Sequence, residues 1–248
     1  MINENMDLVY ILKQGDYNPE LKYSLRSICK YTKFRYIWCV GYTPSWLTNV
    51  KSVNVIQNRT KWENSTNNLY EACKQSDLSP RFVLMNDDFF ALHPITDWGL
   101  SCNRYRGSMQ EYTQKHRSNS DYNNSFAPTI RLLTLLGIQD PLCYELHIPT
   151  IIDKDNFIMM MRDERIKEFR SHHQVFLKRT IYHNLYPSSL PPRYLKDPKL
   201  GIDRDATQEH LRQEWLSVRD RVIDNSVRFP IVTNFLSREF SEKCRYEQ

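Results

Sequence analysis

Glycine is scarce in this chain, with 6 among 248 residues. That scarcity argues against a glycine-rich phosphate loop as the device for holding a nucleotide. No apolar run approaches the roughly 20 residues that a membrane-spanning helix needs. The six cysteines, Cys29, Cys39, Cys73, Cys102, Cys143 and Cys244, lack zinc-ligand and redox spacing, so free thiols in a reducing compartment are expected. Neither charge dominates: 34 Lys and Arg face 29 Asp and Glu, a net +5, which permits a polyanionic partner without requiring one. The start is polar at Asn3-Glu4-Asn5, so no secretory leader is expected, and the chain reads as soluble and cytoplasmic, the host cytoplasm if phage-encoded. Aromatics, by contrast, are plentiful at 12%, with 15 Tyr; they suit stacking against sugars or bases as well as an ordinary core.

The most informative stretch is Arg81-Phe-Val-Leu-Met-Asn-Asp-Asp-Phe-Phe90. Residues 82–85 form a short continuous apolar run, the pattern of a strand buried on both faces of a parallel sheet. It ends in Asn86, Asp87 and Asp88. Adjacent carboxylates at the end of a buried strand repel each other and resist desolvation unless a cation sits between them. Strand carboxyl ends are also where open α/β sheets bind ligands, and carboxylate oxygens suit Mg²⁺ or Mn²⁺. An Asx-rich turn closing the strand is the other reading. The position after a buried strand and before two phenylalanines favours metal binding.

Strands are expected at 7–12, 36–40, 53–56 and 82–85, with helices at 19–31 and 66–76. Asn18 supplies an N-cap and Pro19 a first helical position that needs no donor. Four such alternations argue for a parallel sheet covered by helices on both faces. Further on, polar 103–124, carrying Arg104, Arg106, Lys115 and Arg117, suggests a mobile loop or lid. A helix at 130–136 should stop at Gly137, and a half-exposed strand is expected at 144–148. Helices follow at 155–169 and through Phe176 and Ile181, then an irregular crossing at 186–201. A final amphipathic helix over 207–223 would carry Leu211, Trp215, Val218 and Val222 on one face. The chain reads as one domain over 1–248, with a nucleotide-binding-like half at 1–100 and a second half at 101–248.

Two further constellations could carry chemistry. Glu145 and His147, two apart on the expected strand, would share a face, either as a general base with its partner or metal ligand, or as two polar residues turned to solvent. Arg59, Lys61, Asn64 and Asn67 precede and open a helix at the end of the third strand, where cations and helix N-termini attract phosphate. The alternative there is a capped, solvated helix start, and Lys61 with the two Asn residues is the stronger part of the set. His172, His173 and His183 lie among Arg170, Lys178 and Arg179, a segment that is either a solvated face or a phosphate contact.

Asp7-Leu-Val-Tyr, residues 20–28, Pro44-Ser-Trp-Leu47 and Phe82-Val-Leu-Met-Asn-Asp-Asp-Phe89 together resemble, in order and spacing, Stealth-type sugar-phosphate transferases. They are also similar to GT-A glycosyltransferases, including phage-encoded members that decorate DNA bases. The resemblance covers about the first hundred residues; Tyr144 to Pro149 and Arg179 to Asn184 suggest the phage-type proteins more weakly. It implies a GT-A-like, mixed but mainly parallel sheet flanked by helices, with a helical C-terminal extension. It implies a metal-dependent transfer of sugar from a nucleotide-sugar, UDP-sugars foremost, to an acceptor hydroxyl. Asn86, Asp87 and Asp88 would match the acidic motif that holds Mn²⁺ or Mg²⁺, and the Gly15 turn would face base and ribose. Arg26 lies in the matching first helix and is grouped with the donor-binding residues. Glu145 would be the base if configuration inverts, and that role disappears if it is retained. A hydroxymethylated base in DNA is the first acceptor to consider, given the basic segments. The rivals are a sugar-1-phosphate transferase acting on a surface glycan and a non-catalytic DNA-binding module.

Overall fold

The computed structural model describes residues 5–115, 120–200, 209–218 and 230–248. The first half alternates as its pattern predicts: β1 (Asp7–Ile11), α1 (Pro19–Tyr31), β2 (Ile37–Gly41), β3 (Lys51–Asn54), α2 (Lys61–Cys73) and β4 (Arg81–Met85). Then come β5 (Phe89–Ala91), α3 (Trp98–Cys102), β6 (Arg104–Tyr105), α4 (Met109–Lys115), α5 (Asp121–Asn124) and α6 (Phe126–Leu135). The remainder is β7 (Thr150–Asp153), α7 (Lys154–Arg162), α8 (Glu164–His172), α9 (Lys178–Leu185), β8 (Arg193–Tyr194), β9 (Lys199–Leu200), β10 (Trp215–Val218) and α10 (Pro230–Glu239).

The central sheet has the order β3-β2-β1-β4-β7. Its first four strands are parallel, and β7 closes it antiparallel to β4, pairing Arg81 with Asp153 and Leu84 with Thr150. Continuous apolar runs produce this because side chains alternate across a strand. Leu8, Tyr10, Ile37, Cys39, Val83 and Met85 join one core with Leu21, Leu25 and Ile28 of α1. Val9, Trp38, Val40, Phe82 and Leu84 join a second core with Leu69 and Ala72 of α2, Phe157 and Met160 of α7, and Ile181 of α9. Buried Asp7 opens β1 and is fixed by Arg35 (2.8 and 2.7 Å), Trp38 Nε1 (3.0 Å) and the Ser79 amide (2.9 Å). All six cysteines are free thiols. Among the described residues no helix is long and apolar enough to cross a membrane.

Five expectations are corrected. The helix expected from residue 66 begins at Lys61, because Thr60 and Glu63 form a reciprocal capping box. Residues 144–148 are not a strand; the strand lies at Thr150–Asp153, beyond Pro149. Residues 103–124 are not one loop, since α4 and α5 form there, and Met109 and Phe126 are buried together with Tyr112 and Tyr122 packed on them. The helix expected over 207–223 lies partly outside the described residues. Within them, Trp215–Val218 is a strand between β5 and β9. Trp215 packs on Trp98, with ring centroids 6.1 Å apart, whereas Leu216 and Val218 turn to Phe90, Leu92 and Val232. That is a period of two, not of 3.6. The expected helix at 155–169 also divides, because Asp163 ends α7 and caps α8 by accepting from the Arg165 amide at 2.9 Å.

Candidate active site

The carboxyl ends of β1 and β4, the segment after β3 and the start of α2 enclose a cleft of about 720 Å³, lined by Ile11, Leu12, Lys13, Gln14, Gln57, Arg59, Lys61, Asn64, Ser65, Asn68, Asn86 and Asp87. The apolar strands stop here because Lys13 and Asn86 begin solvated, hydrogen-bonding segments. Lys13, Arg59 and Lys61 set three cations against the single carboxylate of Asp87 in this lining. One face of α2 supplies much of the wall. Lys61, Asn64, Ser65 and Asn68 recur at helical spacing, while Leu69, Ala72 and Cys73, on the adjoining face towards the end of the helix, enter the core. Asn64 also fastens the approach to the helix: its Nδ2 donates to Arg59 O at 2.8 Å, and its Oδ1 accepts from the Arg59 amide at 3.2 Å. Behind Ser65 stands Lys178, whose Nζ donates to Ser65 Oγ at 3.0 Å. Burial pushes its ammonium down to about 8, opposed by the charge of Glu145.

The two carboxylates after β4 part company. Asp87 turns to the cleft, and its Oδ2 accepts from Asn18 Nδ2 at 2.8 Å. Asp88 turns to the small sheet of β5, β10 and β9, where Ser217 Oγ donates to its Oδ2 at 2.8 Å and Lys199 Nζ lies 3.9 Å away. Their mutual repulsion is therefore relieved by separate partners. Among the described residues, no three His, Cys, Asp or Glu side chains converge where a metal ion could sit. Asp87 alone of the pair offers hard oxygen donors to the cleft. One carboxylate fits a divalent ion that completes its shell with substrate phosphates and water, the habit of Mg²⁺.

Of the other expected site residues, Lys61, Asn64 and Asn86 line the cleft. Gly15 lies one residue beyond Gln14, at φ +144 with nothing within 4 Å of a Cβ placed on it. Asn67, though next to Asn68, faces away and accepts from Arg170 Nη2 at 3.0 Å. Arg26 is outside the lining. It binds Glu247 through two bonds of 2.7 Å and donates to Phe240 O and Ser241 O, tying the C-terminal segment to α1. Glu145 and His147 do not share a strand face. Glu145 Oε1 accepts from the Thr180 amide at 3.1 Å in the first turn of α9. His147 Nδ1 lies 2.8 Å from Asp197 Oδ2, and its amide donates to Asp197 Oδ1. Burial works to raise the Asp197 carboxyl, but the His147 hydrogen bond and the nearby charges of His147 and Arg106 hold it at about 2.

The basic segments are dispersed. Arg106 lies 3.3 Å from Asp197 and stands over Tyr112, and Arg104 faces Glu214 at 3.9 Å; Arg117 lies outside the described residues. Arg179 is buried, donating to Leu146 O and Ile148 O and lying over the Phe89 ring. Its charge faces Glu145 and Asp88. His183 is buried as well, its Nε2 2.5 Å from Thr150 Oγ1.

With this geometry in view, the chain is similar to the galactosyltransferase LgtC, solved in complex with donor and acceptor sugar analogs. The TM-score is 0.51 and the identity 14%, over 95% of this chain and 100% of that one. The fold is that of the GT-A glycosyltransferases. The apo-form glycosyltransferase GlyE of Streptococcus pneumoniae TIGR4 matches at TM-score 0.41 and 8% identity over 80% of this chain, which spans 47% of GlyE's length. No family model and no curated protein matches.

Sequence reading missed Ser65, Asn68, Gln57 and Asp197. For the first two the signal was present: Thr60-Lys-Trp-Glu63 has capping-box spacing, and starting α2 there puts 61, 64, 65 and 68 on one face. Gln57 and Asp197 lie outside regular elements and carry no comparable signal.

Proposed function

We propose that the chain transfers a sugar from a nucleotide-sugar to an acceptor hydroxyl, with the donor lying in the cleft between α2 and the end of β4. The observation that carries this reading is the cleft's charge: Lys13, Arg59 and Lys61 line it together with one carboxylate, Asp87, at the carboxyl ends of parallel strands. The likeness of fold to LgtC supports it. Lys13, Arg59 and Lys61 would meet the diphosphate oxygens through charge-assisted bonds. Asn64 would hold the Arg59 backbone in register, and Asn86 would add a polar contact at the end of β4. A divalent ion, Mn²⁺ or Mg²⁺, would be held by Asp87, while Asp88 serves Ser217 and Lys199, and when bound would neutralise charge on the departing diphosphate. Glu145 is the candidate base if the reaction inverts configuration. Arg104 and Arg106, two of the cations that suggest a DNA acceptor, are engaged by Glu214 and Asp197, so the acceptor is a hydroxyl of unspecified class.

Slow hydrolysis of the donor needs no acceptor and provides the test. Incubating the protein with UDP-, GDP-, ADP- and CMP-sugars and Mn²⁺ or Mg²⁺ should release free nucleotide from one class, and Asp87→Asn should suppress that release. Failure to release nucleotide from any class or to bind any would contradict the reading.

A further inference from the structure

Asn68 sits on α2 one turn after Asn64, is 1% exposed, and lines the cleft. Its Oδ1 has no hydrogen-bond partner. A buried amide oxygen left unpaired is costly, and such groups in native proteins call for an explanation. The surroundings supply one. A Cβ placed on Gly41 would lie 2.2 Å from Asn68 Nδ2, 2.5 Å from Leu12 O and 2.8 Å from Gln57 Nε2. Three polar groups therefore converge over this glycine, which has φ +102 and leaves the space that any side chain would fill. Two of the three are committed to each other, since Gln57 Nε2 donates to Leu12 O at 3.0 Å. The third, Asn68 Nδ2, rests over the glycine, and Oδ1 of the same amide is the group without a partner.

Its place in the sheet says which part of the ligand. Gly41 ends β2 and Asp87 follows β4, with β1 between them. Two strand spacings put the amide platform roughly 10 Å from the carboxylate of Asp87, at the other end of the cleft. We propose that Asn68, seated on Gly41, reads the hydrogen-bonding edge of the donor's nucleobase. Oδ1 accepts a ring or exocyclic N–H, and the orientation that Gly41 permits to Nδ2 fixes which edge it meets. This rests on the nucleotide-sugar reading above and adds the residue that selects the nucleotide.

The test is calorimetric titration of the protein with UDP, dTDP, GDP, CDP, ADP and pyrophosphate, which carries no base, in the presence of Mg²⁺. Wild type should bind one nucleoside diphosphate about ten- to a hundredfold tighter than the disfavoured bases and pyrophosphate. Asn68→Ala should bring that ligand to within a few-fold of the others, and Lys61→Ala should weaken every ligand, pyrophosphate included. Asn68→Asp, which keeps the shape but replaces the donor with an acceptor, should also lose the preference, and it covers the case in which Asn68→Ala does not fold. A base preference that survives both Asn68 variants, or wild-type binding no tighter than pyrophosphate, overturns the proposal and leaves the diphosphate reading standing. Absence of binding by all six ligands overturns both.

Discussion

Asn18 Nδ2 lies 2.8 Å from Asp87 Oδ2, and the same side chain accepts from the Leu21 amide at 2.9 Å through Oδ1. One residue thus caps α1 and steadies the carboxylate that faces the cleft. The two roles separate by substitution. Asn18→Ala should cost about 1 kcal/mol, the worth of an N-cap, and also weaken donor binding. Asn18→Asp keeps the capping oxygen but sets a second carboxylate against Asp87, so stability measured by urea unfolding should stay near wild type while nucleotide release falls sharply.

Neighbouring residues on α2 should behave oppositely. Lys61→Ala removes a cation from the cleft, and the loss of a charge-assisted bond of about 1.5–3 kcal/mol predicts at least tenfold weaker donor binding. Asn67→Ala should leave affinity unchanged and lower stability by about 1 kcal/mol, since Asn67 serves Arg170 instead. Calorimetric titration and thermal unfolding of the two variants check this. Equal losses of affinity would refute the assignment of faces.

Arg26→Ala should release the C-terminal segment. The two bonds to Glu247 and those to Phe240 O and Ser241 O disappear, which predicts a loss of about 2–3 kcal/mol and faster proteolysis after residue 239. Donor affinity should not change, because Arg26 is no part of the cleft lining.

Acid should expose His183. Burial first, and then the charge of Arg179, pushes its imidazole from the ordinary 6.5 down to about 3. Between those values the unfolded chain binds a proton that the folded chain refuses. The contribution is therefore harmless above pH 6.5 and destabilises progressively as pH falls towards 3. From pH 7 to pH 5 the wild type should lose about 2 kcal/mol more than His183→Gln, read from urea midpoints at both pH values.

Much of the architecture was legible because apolar runs and helix caps are local signals. Residues 7–12 and 82–85 become central strands, and Asn18-Pro19 opens α1 at the expected position. Asp87, Lys61 and Asn64 reach the cleft because their places follow from strand ends and one helix start. Trp215 was misread because Leu211, Trp215 and Val218 imitate a helical stripe, and the partners that make the segment a strand, β5 and β9, are separated from it in sequence. Glu145 and His147 alternate like strand residues, but Thr180, Arg106 and Asp197 claim their polar groups, and all three are distant in the chain. With a helix start at residue 66, Asn67 and Asn68 both fall in the first turn, where spacing does not separate them; the start at Lys61 puts Asn68 in line with Lys61, Asn64 and Ser65.

The central claim is that Asp87 and its cationic neighbours hold a nucleotide diphosphate together with a divalent ion. Thermal unfolding with each nucleotide-sugar, with and without Mn²⁺, on wild type and Asp87→Asn tests it most directly. At a hundredfold excess over the dissociation constant, the matching donor should stabilise wild type by about 2.7 kcal/mol, or about 5–10 °C, only when Mn²⁺ is present, and should leave Asp87→Asn unmoved. A shift that ignores both the metal and Asp87, or no shift with any nucleotide-sugar, would contradict it.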